Sequence, residues 1–118
     1  MAFRIQTRNV DDATVLALIG RLTIGDAVSS LQECFNKHIA AGDRNIVLDM
    51  RQLDYVDSSG LGAIVTSLTS ARNQGGTLRL ANVPQRIQNL LDVSSLYMIF
   101  QIIELAEPSG TDATKTKP

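Results

Sequence analysis

The segment that most constrains this chain is an apolar stretch followed by a polar helix start. Ile46–Met50 is apolar apart from one carboxylate, and such runs are typical of strands buried on both faces. A polar connection, Arg51–Val56, comes next. From Leu61 to Leu68 the apolar residues then recur at the i, i+3, i+4, i+7 spacing of a helix with one buried face. The residues between, Asp57–Gly62, therefore lie where that helix begins.

This helix start carries the chemistry that the sequence offers. It holds a carboxylate, Asp57, and two hydroxyls, Ser58 and Ser59. The glycines Gly60 and Gly62 leave the backbone bare enough for another molecule to approach closely. We expect the function to reside in this segment.

Composition limits the classes of function. The chain has 118 residues, 44% of them hydrophobic, which fits one compact domain with a real core. A formal net charge of -1 with scattered basic residues argues against a nucleic-acid partner. No apolar run is long enough to span a bilayer, so we expect no membrane association and a cytoplasmic location. The lone cysteine, Cys34, and the lone histidine, His38, cannot supply a usual structural zinc site, and no cofactor is expected.

Periodicity along the chain predicts an α/β domain with a mixed sheet of four to five strands and about three to four helices. Residues 1–107 are predicted to form this single domain, and 108–118 are expected to be a polar, disordered tail. The predicted order is β-β-α-β-α-β-α-β. The predicted elements are strands at 3–8 and 14–19, a helix at 27–41, a strand at 46–50, a helix that begins at Asp57–Ser59 and ends near Asn73, a strand at 77–81, a helix from Pro84 to about Val93, and a strand at 101–105.

Turn and cap signals set the predicted boundaries. Gly20–Gly25 is predicted to be a loop, with Asp26 as the N-cap of the first helix. Gly42 is predicted to end that helix as its C-terminal glycine. Pro84 suits the first turn of the third helix.

The helix start at Asp57–Ser59 admits four interpretations. The first is simple capping, although one such residue is enough for a cap and here there are three. The second is a nucleophilic serine, which lacks the glycine expected two residues earlier and would need His38 as its base. The third is an anion site at a helix N-terminus, which the charge of Asp57 disfavours.

The fourth interpretation is a regulatory phosphorylation site. Phosphorylation of Ser58 adds about -1.5 to -2 charges beside Asp57. The helix dipole should tolerate that charge within the domain, whereas a partner surface covering Ser58 should not. The residues alone leave this open beside the capping interpretation.

The segment Val47–Met50 together with Tyr55–Gly62 closely resembles the signature of STAS domains, and most of all that of bacterial anti-sigma factor antagonists. The similarity extends from about Ile5 to Leu105 and includes Gly20-Arg21-Leu22, Gly75-Gly76 and the Leu91–Ser94 turn. The resemblance implies a non-enzymatic switch. A serine kinase that is also the anti-sigma factor phosphorylates Ser58 and binds only the unphosphorylated domain, which releases the sigma factor. A PP2C-type phosphatase then resets the switch.

The resemblance also implies a recognised surface around Ser58 and a monomer or weak dimer. The expected partner-binding residues are Asp57, Ser59, Gly60, Leu61 and Gly62, with a rim formed by Gly20, Arg21, Leu22, Thr23 and Ile24. For Leu61 a place in the core is the favoured alternative. Two departures from the family pattern stand out: many members carry an acid where Thr23 stands, and the usual C-terminal helix is missing or very short. The alternative function is a STAS-like scaffold that is not switched, either binding an anion or nucleotide or serving as a small subunit of an assembly such as a lipid transporter.

Overall fold

The protein is described here by a computed structural model covering residues 3–106. Within that range the chain forms six strands and three α-helices, with a 3₁₀ turn at Leu96–Met98. The elements are β1 (Arg4–Val10), β2 (Ala13–Leu22), α1 (Asp26–Ala40), β3 (Asn45–Asp49), β4 (Leu53–Val56), α2 (Ser58–Asn73), β5 (Thr77–Ala81), α3 (Gln85–Val93) and β6 (Gln101–Ile103). The predicted α/β class is therefore confirmed, with one strand more than expected.

All six strands belong to one mixed sheet. Its main path runs β1-β2-β3-β5-β6, and β4 pairs with β2 beyond the end of β3. Only the β1–β2 hairpin is antiparallel; the other pairs are parallel. The long β2 strand thus serves two neighbours, because Thr14–Ala17 pairs with β3 whereas Gly20–Leu22 pairs with β4.

The main core lies between one face of this sheet and the helices. Leu16, Leu18, Ile46 and Leu48 point from the central strands into a cluster that also takes in the inner faces of α1, α2 and α3. Phe35 of α1 is 1% exposed and is among the largest buried side chains. The opposite face of the sheet carries a smaller cluster formed by Ala13, Val15, Val47 and Ala81.

A buried polar network ties the end of the described chain to the sheet. Asp49, only 5% exposed, lies 3.5 Å from the Arg8 guanidinium and accepts a hydrogen bond from the Asn82 side-chain amide at 3.1 Å. The side-chain oxygen Oδ1 of Asn82 accepts from the Leu105 N–H at 2.9 Å, and the Arg51 guanidinium donates to the Leu105 backbone carbonyl at 2.6 Å. These contacts provide partners for the Asp49 carboxylate, whose burial without them would cost free energy.

Two segments that were predicted to contain no strand do contain one, and both errors have the same origin. Gly20–Gly25 was predicted as a loop, but β2 continues to Leu22. Arg51–Val56 was predicted as a connection, but it contains β4. Each of these segments becomes a strand by pairing with the other, so neither shows a strand pattern of its own.

The helix boundaries were predicted more closely. Asp26 is the first residue of α1 and not its N-cap; Gly25, with φ +107°, holds that position without a side-chain cap. Gly42 follows α1 with φ +101°, and its N–H donates to the Ile39 carbonyl, which confirms it as the C-terminal glycine. Pro84 was predicted in the first turn of α3 but lies one residue before that helix, as its N-cap. α2 ends at Asn73, as predicted. The predicted tail, 108–118, lies outside the described residues.

The membrane prediction concerns the helices. Among the described residues, none of the helices combines the length and hydropathy needed to cross a bilayer.

Candidate functional site

The candidate site lies at the carboxyl ends of β2 and β4. These strands run parallel, with Leu22 paired to Val56, so both end side by side. The chain passes from β4 through Asp57 directly into α2, and the Asp57 N–H donates to the Leu22 carbonyl at 3.3 Å. The start of α2 and the segment after β2 are therefore neighbours in the fold.

Asp57 joins these two segments through its carboxylate. One oxygen, Oδ2, accepts a hydrogen bond from the Ile24 N–H at 2.9 Å, and Oδ1 accepts one from the Gly60 N–H at 2.8 Å. The second bond caps the N-terminus of α2, so the capping interpretation of this segment holds for Asp57. The Ile24 and Gly60 N–H groups lower the pKa of the Asp57 carboxyl from its ordinary value, because both stabilise the ionised form. The ionised Asp57 carboxylate therefore links the start of α2 to the segment after β2.

Ser58 and Ser59 occupy the first two positions of α2, but they differ in exposure. Ser58 is exposed, whereas Ser59 is half-buried. Because Asp57 provides the cap, the Ser58 hydroxyl is not needed for that purpose. Of the hydroxyls predicted at this helix start, the structure presents that of Ser58 most openly to another molecule.

The two glycines of the helix start have different roles. A Cβ on Gly60 would lie 2.2 Å from the Leu22 carbonyl oxygen and 2.9 Å from the Leu22 Cγ, so α2 approaches β2 as closely as a glycine permits. A Cβ on Gly62 would meet nothing within 4 Å. Gly60 is therefore required by packing, whereas Gly62 leaves a bare patch of helix surface two residues further on.

The residues predicted to contact a partner also divide into buried and exposed ones. Gly20 and Leu22 are buried, and Leu61 is half-buried against the core, as favoured for that residue. Arg21 and Ile24 are exposed, and Thr23 is half-buried. The surface around Ser58 that a partner could touch directly is therefore smaller than the set of residues that the resemblance implied.

Tyr55 belongs to this surface and was not predicted. It pairs with Arg21 across β2 and β4, and the Arg21 guanidinium carbon lies 4.5 Å from the centre of the Tyr55 ring. Both side chains are exposed, in keeping with a cation–π contact on the surface. Burial in β4 does not alternate, because Leu53 and Val56 are buried and both residues between them are exposed, so periodicity in the sequence gives no signal for Tyr55.

The fold separates His38 from Ser58. α1 starts after the end of β2 and runs back toward the start of β3, and His38 lies near its far end. The thirteen-residue span from Asp26 to His38 corresponds to about 18 Å of helix. His38 instead hydrogen-bonds Asp43 at 2.8 Å. The geometry does not assemble the serine–histidine pair that a hydrolase would need.

The anion-site interpretation also loses support. The Gly60 N–H, which an anion at the start of α2 would use, already donates to the Asp57 carboxylate. That carboxylate places a negative charge at the same position. The helix start therefore provides its own anionic group.

Comparison with known proteins agrees with this geometry. Residues 4–108 match the sequence profile of the STAS domain family. The anti-sigma-B factor antagonist of Bacillus subtilis is 34% identical over 58 residues, which cover 49% of this chain and 53% of that protein. The chain thus matches about half the length of that relative. The anti-sigma-B factor antagonist of Staphylococcus epidermidis is 26% identical over 107 residues, covering 91% and 98% of the two chains.

Solved structures share the fold. The phosphorylated form of SpoIIAA from Bacillus superposes with a TM-score of 0.69 at 21% identity, covering 90% of this chain and 93% of that one. An anti-sigma factor antagonist from Mycobacterium paratuberculosis gives a TM-score of 0.73 at 14% identity, with 86% of each chain covered. Together with the profile match over most of its length, the fold and the helix start at Asp57–Gly62 show that this chain belongs to the STAS domain family.

Proposed function

We propose that this chain is an anti-sigma factor antagonist that is switched by phosphorylation of Ser58 in the cytoplasm. Without phosphate it binds an anti-sigma factor that is also a serine kinase, and the sigma factor is released. With phosphate it dissociates, and a PP2C-type phosphatase restores the binding form. The names of the relatives from Bacillus subtilis and Staphylococcus epidermidis support the antagonist role.

One observation carries the proposal: the exposed Ser58 hydroxyl lies next to a carboxylate that is already held in place. Asp57 accepts from Ile24 and Gly60, so the cap of α2 does not depend on Ser58. A phosphate at the first position of α2 would lie where the helix dipole favours negative charge. The domain can therefore carry the modification without unfolding.

The same charge opposes a bound partner. Phosphorylation adds about -1.5 to -2 charges to a surface that already holds the charge of Asp57. Covering or opposing such a charge can cost a few kcal/mol, and about 2.7 kcal/mol corresponds to a hundredfold loss of affinity. The domain acts in this scheme by binding and not by catalysis.

The test uses a purified candidate kinase with ATP, followed by intact-mass measurement and peptide mapping. We expect one phosphate on Ser58, lost in Ser58→Ala and retained in the matched control Ser59→Ala. Kinase binding, measured by calorimetry, should fall at least tenfold once the phosphate is present. Absence of phosphate with every candidate kinase would contradict the switch and favour the scaffold alternative, in which Asp57–Ser59 is mainly a helix cap.

A further inference from the structure

β1 is a long open edge of the sheet. Within residues 3–106 it pairs with β2 alone, over seven consecutive residues and without a shift of register. In such an edge strand every second residue directs its N–H and C=O groups away from the sheet. The other strands with a single partner, β4 and β6, have only four and three residues. β1 is therefore the edge to which an extended segment is most readily added.

A groove of about 430 Å³ runs beside this edge, between β1 and α1, and is here called the β1 groove. Its strand side includes Phe3, Ile5 and Thr7, and its helix side includes Ser30, Cys34 and Lys37. Ile5 and Thr7 pair with core residues of β2, so their side chains point to the face of the sheet that carries the helices. Phe3, Ile5 and Cys34 pack against the main core and give the groove an apolar floor. A strand added to β1 would direct every second side chain into this groove.

The β1 groove is distinct from the surface around Ser58. β2 and β3 separate β1 from β5, and α2 packs on β5. Along α1 the groove extends to Lys37 and His38, which lie in the last turn of that helix. A segment bound along β1 therefore needs no contact with the start of α2.

The uncompensated charge beside β1 is positive. Arg4 and Arg8 lie on the face of the sheet opposite the helices. Arg8 is 3.5 Å from Asp49, whereas Arg4 is exposed and forms no ion pair within residues 3–106. On the groove side, Glu33 and Lys37 are four residues apart on α1, so their charges offset each other. The charge of Arg4 remains.

The other charges nearby limit where an acidic segment fits. The His38 ring is already hydrogen-bonded to a carboxylate at 2.8 Å. Asp26 belongs to the first turn of α1 and does not line the β1 groove; the sheet lies between it and Arg4. Asp11 and Asp12 follow β1 in the hairpin turn, where they disfavour a further acid. An acidic side chain therefore fits best beside the first half of β1.

Two other occupants match the groove poorly. Antiparallel pairing of β1 with a second copy over its full length would oppose Ile5 with Asn9 and Arg4 with Val10, because Thr7 would lie at the centre. The apolar position beside the groove would then meet a polar side chain. Residues 107–118 of this chain contain no large apolar side chain that could enter the groove. The occupant that fits is a segment of another protein.

We propose that β1 binds an extended segment of a partner protein, which joins the sheet as a further strand. Apolar side chains at every second position enter the β1 groove, and an acidic side chain between them lies beside Arg4. Main-chain hydrogen bonds supply affinity, and the alternating side chains supply selectivity. This inference goes beyond the switch proposed at Ser58 and does not depend on it.

The probes are three terminally blocked hexapeptides in which glutamate alternates with valine, isoleucine or leucine. Binding to the full chain is followed by the backbone amide signals in nuclear magnetic resonance spectra. At least one peptide should shift the signals of Arg4–Val10 and of residues 30–38, and should slow hydrogen exchange of the β1 amides that face away from β2. Lysine in place of glutamate should weaken binding at least about tenfold. If none of the three peptides shifts these signals, the inference is overturned.

N-methylated peptides separate strand addition from binding through side chains alone. Methylation of alternate peptide nitrogens removes the hydrogen-bond donors along one edge of the added strand. One alternate set should abolish binding, whereas the other set, which faces solvent, should leave the affinity within about twofold. Equal affinity of the two methylated peptides would overturn the inference.

Two variants with matched controls locate the site. Ser30→Trp fills the β1 groove and should weaken peptide binding about tenfold or more. Ser29→Trp places the same side chain on an exposed position of α1 outside the groove and should bind as the native chain does. Arg4→Glu should also weaken binding about tenfold, with Arg72→Glu, in the last turn of α2, as its charge-matched control. Circular dichroism of each variant verifies that the fold is retained.

The remaining outcomes separate this inference from the proposed function. If both Ser30→Trp and Arg4→Glu bind the peptide as the native chain does, the β1 groove is not the site. If the β1 signals shift with protein concentration in the absence of peptide, the occupant is a second copy and the inference is wrong. Phosphorylation of Ser58 is measured in the kinase assay, so either proposal can fail while the other stands.

Discussion

Substituting either glycine at the start of α2 by alanine should give opposite results. Gly60 and Gly62 lie in the same helix, two residues apart, and the same methyl group is added in each case. At Gly60 the new Cβ would lie 2.2 Å from the Leu22 carbonyl oxygen. At Gly62 it would lie in open space. The pair therefore isolates close packing from helix propensity.

The magnitudes follow from these contacts. Backbone atoms of β2 cannot move aside as a flexible side chain would, so α2 must shift, and Gly60→Ala should cost at least about 2 kcal/mol, within the range of ~1–3 kcal/mol for overpacking. That shift would also disturb the Gly60 N–H bond to Asp57. Gly62→Ala should stabilise the protein by roughly 0.5–1 kcal/mol, because alanine loses less backbone entropy in a helix than glycine does.

Urea unfolding followed by far-ultraviolet circular dichroism measures both values, since the chain contains no tryptophan. The two variants should differ by about 3 kcal/mol, or on the order of 10 °C in Tm for a domain of this size. Equal stability of the two variants, or a Gly60→Ala variant more stable than the native protein, would refute the close approach of α2 to β2.

The same pair bears on the proposed switch. Gly62 is exposed on the first turns of α2, near Ser58, and packing does not require a glycine there. If a partner covers this surface, Gly62→Ala should weaken kinase binding while it raises the free energy of unfolding. Unchanged kinase binding would show that the partner does not approach α2 closely at this residue.

Three further predictions concern stability. Asp57→Asn should lower the free energy of unfolding at neutral pH. Because the pKa of Asp57 is lowered in the folded protein, its charge stabilises the fold at pH values above the ordinary carboxyl pKa of about 3.9, and this contribution is lost as the pH falls through the lowered pKa. The difference between the two proteins should therefore shrink at acidic pH, which urea midpoints measured against pH would show. Asn82→Ala should destabilise by roughly 1–3 kcal/mol in urea unfolding, because it removes bonds to Asp49 and Leu105 and leaves a non-glycine residue at φ +54°. Phe35→Ala should cost about 3–5 kcal/mol in the same measurement, since that side chain is 1% exposed.

Local signals predicted most of the fold. The cap at Asp57 and the glycine at Gly42 act within one turn of the helix that they bound, so their neighbours in sequence are sufficient to recognise them. The apolar strand at Ile46–Met50 was placed within one residue of the observed β3. These elements depend little on contacts from distant parts of the chain.

The missed strand depends on a distant contact. β4 has four residues, and its two middle residues, Asp54 and Tyr55, are exposed. It becomes a strand because it pairs with the end of β2, more than thirty residues earlier. A segment with only two buried positions carries too short a pattern to be recognised alone.

The candidate site shows the same division between local and distant contacts. Ser58 was predicted as a candidate site because it stands in a contiguous motif, whereas the surface beside it is assembled from β2, β4 and the loop after β2. The bond from the Ile24 N–H to Asp57 spans 33 residues and leaves no periodic trace in the sequence. It follows that a candidate modification site can be predicted from a short motif, whereas the exposed side chains around it are brought together only once the strands that carry them are paired.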